Sequence, residues 1–333
     1  MENNNKHLVN ELSAATKASL RTRVIAAIVA SAIVVPLIFL GDYGFAALLL
    51  VILIFCIYEF IHCAGKKYSI SLYIITAILA VIMSFWPVIK SFFDAAQSGT
   101  LSNWRIYDGF SGLYLPITAL VVGACALFTV VVWDRFFELR DACYVFTLTT
   151  IISMGIQSIL FLRYFPLFER YGTSQPANYF NSFDNLESAL LVFYIAIATF
   201  MTDTGAYFIG VFFGKHKMNE RISPKKTWEG FFGGLVISTI SSFLFAFLFT
   251  LNGHPLLGIF DMNHWYYILI LSLLIPFFAV LGDFVFSSIK RYYGIKDFGK
   301  LMPGHGGALD RIDSIIFTTM ISALVISLIV YWM

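Results

Sequence analysis

Long apolar segments separated by short polar stretches make up most of the chain. A helix needs about 20 apolar residues to cross the hydrocarbon core of a bilayer, and nine segments approach or meet that length. These segments are 24–40, 44–63, 71–89, 113–133, 143–162, 186–213, 230–251, 265–288 and 315–332. Pro36 and Pro87 shorten or interrupt the first and the third, so eight or ten crossings are alternatives. The pattern predicts an all-α fold, a polytopic integral membrane helical bundle with about nine transmembrane helices.

Composition supports a membrane protein. Hydrophobic residues make up 59% of the 333 residues and charged residues only 13%, too few to form an ordinary water-facing surface. The net charge of +2 lacks the strong basic excess that would suggest a nucleic-acid partner, so no nucleic acid is expected. The four cysteines are Cys56, Cys63, Cys125 and Cys143. They show no Cys-x-x-Cys or Cys/His spacing, which favours reduced packing residues.

Basic residues fall mainly on one side when successive segments alternate across the membrane. With the N-terminus inside, 18 of the 22 Lys and Arg residues lie on the cytoplasmic side. The four on the outer side are Lys90, Arg105, Arg163 and Arg170. Cytoplasmic loops carry the excess of Lys and Arg in membrane proteins, so we expect a cytoplasmic N-terminus and an odd number of crossings. The first segment ends without a small-x-small cleavage pattern, which favours a retained helix over a removed signal peptide.

Candidate chemistry is concentrated in the second half of the chain. The first five segments contain few charges, and the outer loops 90–112 and 163–185 hold no grouped carboxylates or histidines. We therefore divide one membrane body into an N-terminal transmembrane region, residues 1–162, and a C-terminal transmembrane catalytic region, residues 163–333.

A polar stretch between the eighth and ninth segments, residues 287–313, combines basic, glycine and acidic residues. Basic side chains neutralise polyphosphates, glycines let backbone N–H groups approach them, and carboxylates hold Mg²⁺ against phosphate. Asp283 lies within the preceding apolar segment, where an unpaired carboxylate usually marks function. Asp310 and Asp313 are about one helical turn apart and suit a helix N-terminus. Composition alone leaves an alternative open, a lipid-contacting basic loop in which these two carboxylates cap a helix.

A second polar stretch, residues 203–230, supplies further groups suited to a nucleotide phosphate. These groups are Ser223, Lys225, Lys226 and Thr227. Trp228 could stack on a base or anchor the chain at the membrane interface. The alternative is a loop that extends its lysines to lipid headgroups. Gly210 and Gly214 are spaced as Gly-x-x-x-Gly, which more often serves close helix packing than chemistry.

Three motifs occur in order around the loop before the ninth segment. They are Ser287-Ser288-Ile289-Lys290-Arg291, Lys296-Asp297 and His305-Gly306-Gly307-Ala308-Leu309-Asp310-Arg311-Ile312-Asp313. This order and spacing resemble the signature of the phosphatidate cytidylyltransferase family, and residues 203–230 resemble its upstream motif. The resemblance covers residues 203–313 and weakens toward the N-terminus. It implies a membrane enzyme that transfers CMP from CTP to phosphatidate, giving CDP-diacylglycerol and pyrophosphate for phospholipid biosynthesis.

The resemblance also implies roles for individual residues. The implied catalytic set is Asp283, Asp310, Lys290, Arg291, His305 and Arg311. The implied substrate-binding set is Asp203, Ser223, Lys225, Lys226, Thr227, Lys296, Gly306 and Gly307. The implied metal ligands are Asp283, Asp310 and Asp313, holding Mg²⁺; a two-ion site, with K⁺ as the second ion, is an alternative. The expected partners are CTP, phosphatidate of the inner leaflet and a second copy in a homodimer, with the site facing the cytoplasm from a plasma or cell inner membrane.

Other interpretations stay open on the residues alone. In a secondary transporter, Asp203 and Asp283 would be coupling-ion ligands. A related lipid cytidylyltransferase or lipid kinase would use another acyl or isoprenoid substrate, and a non-catalytic lipid-binding protein would leave the carboxylates without a purpose. Glu59 and His62 could face the site, although reaching the membrane interface is the favoured interpretation. His305 could orient a phosphate or transfer a proton, or it could brace its glycine-rich turn.

Overall fold

The structure, a computed structural model, describes residues 14–66, 68–101, 104–111, 116–171, 182–299 and 306–332. Within these residues the chain forms nine α-helices, a 3₁₀ turn and one β-hairpin. The helices are α1 (Ala14–Leu40), α2 (Asp42–Cys63), α3 (Ile70–Ser98), α4 (Ile117–Trp133), α5 (Leu139–Tyr171), α6 (Ser182–Phe213), α7 (Trp228–Leu251), α8 (Trp265–Tyr292) and α9 (Leu309–Trp332). The antiparallel hairpin strands are β1 (Lys217–Asn219) and β2 (Ser223–Thr227), and the 3₁₀ turn is Ile106–Gly109. Each predicted segment corresponds to one helix, which confirms the all-α fold class.

Seven of the nine helices in the described part of the chain are long and apolar enough to cross a membrane. The other two, α1 and α4, contribute the shorter apolar segments Val24–Leu40 and Ile117–Trp133. At 1.5 Å per residue, the 17 residues of α4 extend about 25 Å, slightly less than a hydrocarbon core of about 30 Å. The protein is an integral membrane protein, and the nine predicted segments divide into seven full-length candidate spans and two short ones.

The interruptions predicted at two prolines are absent. Pro36 lies inside α1 and Pro87 inside α3, and both helices continue past them. Membrane helices tolerate proline because neighbouring groups pack against or bond the backbone that proline frees. Gly109 of the 3₁₀ turn lies directly against the Pro87 carbonyl, so this short turn covers this part of α3.

A stripe of small residues brings α7 close to α6. Buried positions recur at every fourth residue of α7 and are Gly230, Gly234, Ser238, Ser242, Ala246 and Thr250. The opposite face exposes large apolar side chains such as Phe232 and Ile240, which suit contact with lipid. A Cβ at Gly234 would lie 2.6 Å from the Thr202 carbonyl oxygen. This close approach holds the end of α6, with its polar residues, beside the start of α7.

The prediction that an outer loop begins at Arg163 is wrong. Arg163 lies inside α5 and is fully buried, with 0% of its surface exposed. Its Nε donates a hydrogen bond of 2.8 Å to the Ile38 carbonyl near the end of α1, and its guanidinium also bonds Ser188 of α6. The last carbonyls of a helix lack partners within the helix, so a buried arginine can satisfy them. The predicted division between residues 162 and 163 falls within a helix that ties α1 to α6.

All four cysteines are free. Cys56 and Cys63 are buried, in agreement with a packing role. Cys125 and Cys143 are exposed on α4 and α5, so the prediction that they pack inside the protein is wrong for these two. Their apolar thiols instead suit the lipid-facing surface of a membrane protein.

Candidate active site

The predicted site residues gather at one end of the bundle, where α8 ends and α9 begins. Lys290, in the last turn of α8, is buried, and its Nζ lies 2.9 Å from Asp310 Oδ1 and 3.8 Å from Asp313 Oδ2. Both carboxylates lie in the first two turns of α9 and are also buried. A buried ion pair is stabilised only when further hydrogen bonds satisfy its remaining atoms. Asp310 meets that condition.

The second carboxylate oxygen of Asp310 binds both described ends of the connection between α8 and α9. Oδ2 accepts backbone N–H bonds from Phe298 at 2.8 Å and from Gly307 at 2.9 Å. Gly306 has a φ of 89°, which glycine adopts without strain, and a Cβ there would lie 2.9 Å from the same oxygen. Asp310 therefore has both oxygens in use within the protein, and the two predicted substrate-binding glycines, Gly306 and Gly307, let the backbone just before α9 approach its carboxylate.

The interpretation that Glu59 reaches the membrane interface is wrong. Only 4% of the residue is exposed, and its carboxylate accepts backbone N–H bonds from Ala308 and Leu309, each at 2.9 Å. The first N–H groups of a helix lack intrahelical partners and favour a negative charge, so Glu59 of α2 caps α9. Gly299 and Gly307 lie so close to this carboxylate that neither position has room for a Cβ. The signal in the sequence that could have identified Glu59 was its position as a lone acidic residue inside an apolar segment.

A second ion pair joins Asp283 of α8 to Lys226 of β2. Ser287 approaches Asp283 Oδ1 with its hydroxyl at 3.4 Å. Asp203 of α6 interacts electrostatically with both partners of the ion pair, and Asp313 interacts with Asp283. Residues predicted from separate motifs on α6, β2, α8 and α9 thus form one carboxylate–lysine cluster.

A cavity of about 560 Å³, here called the lysine cavity, opens beside this cluster. The predicted residues that line it are Asp203, Ser223, Lys225, Lys226 and Thr227. Tyr207 and Val211, which are mostly exposed, form an apolar part of its wall. Thr227 is the N-cap of α7, and its hydroxyl accepts the Gly230 N–H at 3.2 Å. The cavity combines cations with apolar surface, an arrangement that suits a ligand carrying both phosphate and hydrocarbon.

The remaining predicted residues are less enclosed. Arg291 is exposed, with its Nε 3.4 Å from the Ile222 carbonyl oxygen and a second guanidinium nitrogen 3.2 Å from the carbonyl oxygen of residue 295. Lys296 and Arg311 are also exposed. His305 lies outside the described residues, so its role stays a prediction.

The carboxylate cluster carries excess negative charge. Four carboxylates face two lysines, and oxygen ligands with such an excess suit Mg²⁺. Among the residues that the structure describes, no three Asp, Glu, His or Cys side chains are preassembled as a metal site. The predicted set of Asp283, Asp310 and Asp313 is therefore not a ready-made metal centre. Asp310 accepts hydrogen bonds from Lys290 and from two backbone N–H groups, more than Asp283 accepts from Lys226 and Ser287. Asp283 and Asp313, with Asp203 close by, are therefore the carboxylates better suited to a metal.

Comparison with known proteins agrees with this arrangement of motifs. A sequence model described as "Cytidylyltransferase family" matches residues 21–329. The chain belongs to this family. A phosphatidate cytidylyltransferase from Haemophilus influenzae is 32% identical over 301 residues, which cover 89% of this chain and 94% of that relative.

Two further relatives match a shorter region more strongly. Phosphatidate cytidylyltransferases from Bacillus subtilis and Staphylococcus haemolyticus are 41% and 42% identical over 142 and 126 residues. These matches cover 42% and 38% of this chain, and the chain spans only about half of each relative, 49% and 45%. The family predicted from the motifs is confirmed, and its match includes the N-terminal helices, where the motif resemblance was weak.

Proposed function

We propose that the protein is a phosphatidate cytidylyltransferase, which transfers CMP from CTP to phosphatidate and gives CDP-diacylglycerol and pyrophosphate for phospholipid biosynthesis. The observation that carries this proposal is the joining of the pairs Lys226–Asp283 and Lys290–Asp310 in one cluster beside the lysine cavity. Basic groups that would hold phosphates and carboxylates that would hold a metal meet there from separate elements. The names of the relatives support the same reaction.

In this reaction a phosphate oxygen of phosphatidate attacks the α-phosphorus of CTP. A new P–O bond forms, the bond to pyrophosphate breaks, and no covalent enzyme intermediate is required. Such a transfer depends chiefly on in-line positioning and on neutralising charge. Lys226 and Lys290 would therefore bind phosphate oxygens, supported by Arg291 and Arg311. The residues that would shape the CTP side are Asp203, Ser223, Lys225 and Thr227.

Mg²⁺ is the cofactor in this proposal, with Asp283 and Asp313 as its ligands and Asp203 nearby. When bound, the ion would neutralise phosphate charge and orient the reacting groups. Asp310 would act as a positioning residue, because it holds both Lys290 and the loop before α9. Lys226 would keep Asp283 paired in the absence of substrate, since an isolated carboxylate in this region is unfavourable.

The proposed site faces the cytoplasm, because the hairpin and the α8–α9 loop that form it carry many of the basic residues typical of cytoplasmic loops. CTP would enter from water while the apolar tails of phosphatidate remain in the inner leaflet. The proposal includes a homodimer, which multi-angle light scattering in detergent would test.

The direct test is pyrophosphate release by the purified protein in detergent micelles containing phosphatidate, CTP and Mg²⁺, with each omitted in turn. Release that needs all three, with CDP-diacylglycerol as the lipid product, would support the proposal. Release with another lipid acceptor would redirect it to a related cytidylyltransferase. Substrate flux in proteoliposomes without CTP turnover would favour a transporter, although Lys226 already pairs with the carboxylate that a coupling ion would need.

A further inference from the structure

A second cavity, of about 550 Å³, adjoins the lysine cavity. Residue 222 lines the second cavity, and the next residue, Ser223, lines the lysine cavity. Three arginines, Arg140, Arg221 and Arg291, also line the second cavity, which we call the arginine cavity. Arg291 belongs to the motifs before α9 and Arg221 lies within the upstream stretch, residues 203–230, whereas Arg140 lies outside both.

The three arginines come from parts of the chain that are far apart in sequence. Arg140 lies in the first turn of α5, Arg221 in the turn between β1 and β2, and Arg291 in the last turn of α8. The fold therefore brings three positive charges to one cavity, although like charges repel one another. An anion in the cavity would remove that repulsion.

No carboxylate of the described residues neutralises these arginines. None lies within 4 Å of the guanidinium of Arg140, Arg221 or Arg291. The acidic neighbours of Arg140 are used elsewhere, since Lys66 lies 2.6 Å from Asp141 and 3.7 Å from Glu138.

The rest of the described lining includes three tyrosines, Tyr144, Tyr292 and Tyr293, and no acidic residue. The central carbon of the Arg140 guanidinium lies 6.0 Å from the centre of the Tyr292 ring, at the limit of a cation–π contact. Burial raises the pKa of the Tyr293 hydroxyl to about 12, so this group stays protonated and adds no negative charge to the cavity. Planar guanidinium groups match phosphate oxygens with paired hydrogen bonds, so several of them together favour phosphate over a single carboxylate.

We propose that the arginine cavity binds a phosphate group of a substrate, with Arg140 and Arg221 as binding residues in addition to Arg291. This inference rests on the proposed function and adds to that function a phosphate subsite outside the carboxylate–lysine cluster. The cavity lies next to the cluster along α8, because its lining residues Ser288 and Arg291 directly follow Ser287 and Lys290 of the cluster in the chain. The phosphate could belong to the CTP triphosphate or to the lipid headgroup.

The test compares the double variant Arg140→Gln/Arg221→Gln with the control Arg135→Gln. Arg135 is an exposed arginine five residues before Arg140 that does not line the cavity, so its loss changes net charge alone. We expect the double variant to raise the KM for one substrate roughly tenfold or more, because each lost charge-assisted hydrogen bond weakens binding. A higher KM for CTP identifies the nucleotide as the source of the phosphate, and a higher KM for phosphatidate, measured as its mole fraction in micelles, identifies the lipid.

If no turnover is found, binding measurements test the same cavity. Equilibrium dialysis of the purified protein measures binding of CTP and of inorganic pyrophosphate, and flotation measures binding to phosphatidate-containing vesicles. Weaker binding of any one probe by the double variant, but not by Arg135→Gln, supports the subsite even where the proposed reaction fails. Unchanged KM values and unchanged binding of all probes would overturn it, and so would an equal loss in Arg135→Gln. Arg221→Gln alone, in an exposed turn, replaces the double variant if that variant unfolds.

Discussion

Glu59 of α2 accepts a hydrogen bond of 2.9 Å from the backbone N–H of Leu309, the first residue of α9 and 250 positions later in the chain. The same carboxylate binds the preceding N–H. Because α9 begins there and carries Asp310 and Asp313 in its first turns, Glu59 sets the position of two site carboxylates without belonging to the motifs around them.

Replacing Glu59 with Ala should destabilise the protein by at least about 2 kcal/mol, since two hydrogen bonds to a buried charge are lost. Turnover should fall with it because α9 loses its cap. Glu59→Gln keeps one acceptor oxygen, so its stability and turnover should lie between those of the wild type and those of Glu59→Ala. Thermal unfolding in detergent, alongside turnover, measures this; the exposed neighbour His62→Ala is the control. Wild-type stability in Glu59→Ala would show that the cap contributes nothing.

Asp283→Asn should reduce turnover by at least about a hundredfold while leaving a folded protein, because it removes a proposed metal ligand and the partner of Lys226. Asp94→Asn, an exposed carboxylate near the end of α3, should keep normal turnover. Rates are measured by pyrophosphate release. Near-normal turnover in Asp283→Asn would remove this residue from the metal site.

Lys226→Ala should chiefly raise the KM for CTP, by roughly tenfold, because it removes a buried cation from the lysine cavity. Lys225→Ala should have a smaller effect, since Lys225 is exposed and makes no ion pair with the described residues. Steady-state titrations of CTP at saturating phosphatidate distinguish the two lysines. A CTP dependence that stays the same in Lys226→Ala would refute its role.

Chelation of divalent ions should stop turnover, and added Mg²⁺ should restore it. Asp313→Asn should then raise the Mg²⁺ concentration for half-maximal rate by about tenfold or more, because a ligand is lost. The measurement is the rate as a function of free Mg²⁺ for wild type and variant. Full activity in the presence of excess chelator would contradict the proposed cofactor.

Gly234→Ala should lower stability by about 1–3 kcal/mol, because the new methyl group would lie 2.6 Å from the Thr202 carbonyl oxygen and push α6 away from α7. Gly44→Ala is a matched control in α2, where the added Cβ would be 3.4 Å from its nearest neighbour, an ordinary contact. Thermal unfolding of both variants in detergent compares them. Equal melting temperatures would mean that α6 and α7 adjust freely.

Local features of the chain were sufficient to predict the helices and the family. The length of an apolar run decides whether a helix can cross a membrane, and that length is visible without any tertiary contact. Motif order likewise predicted, without any tertiary contact, that the site contains Lys290, Asp310, Asp313 and the segment around Lys226. The two prolines were the exception, because whether a proline interrupts a membrane helix depends on the neighbours that cover it.

Tertiary structure alone decided which distant residues act together. Nothing near Glu59 in sequence indicates that it caps α9, and nothing near Arg140 indicates that it shares a cavity with Arg221 and Arg291. Arg163, predicted in a loop, is instead buried against the end of α1. Hydropathy decides which segments enter the membrane. The close approach of helices at small residues decides which polar groups meet. That approach joins residues hundreds of positions apart, so the sequence alone does not show it.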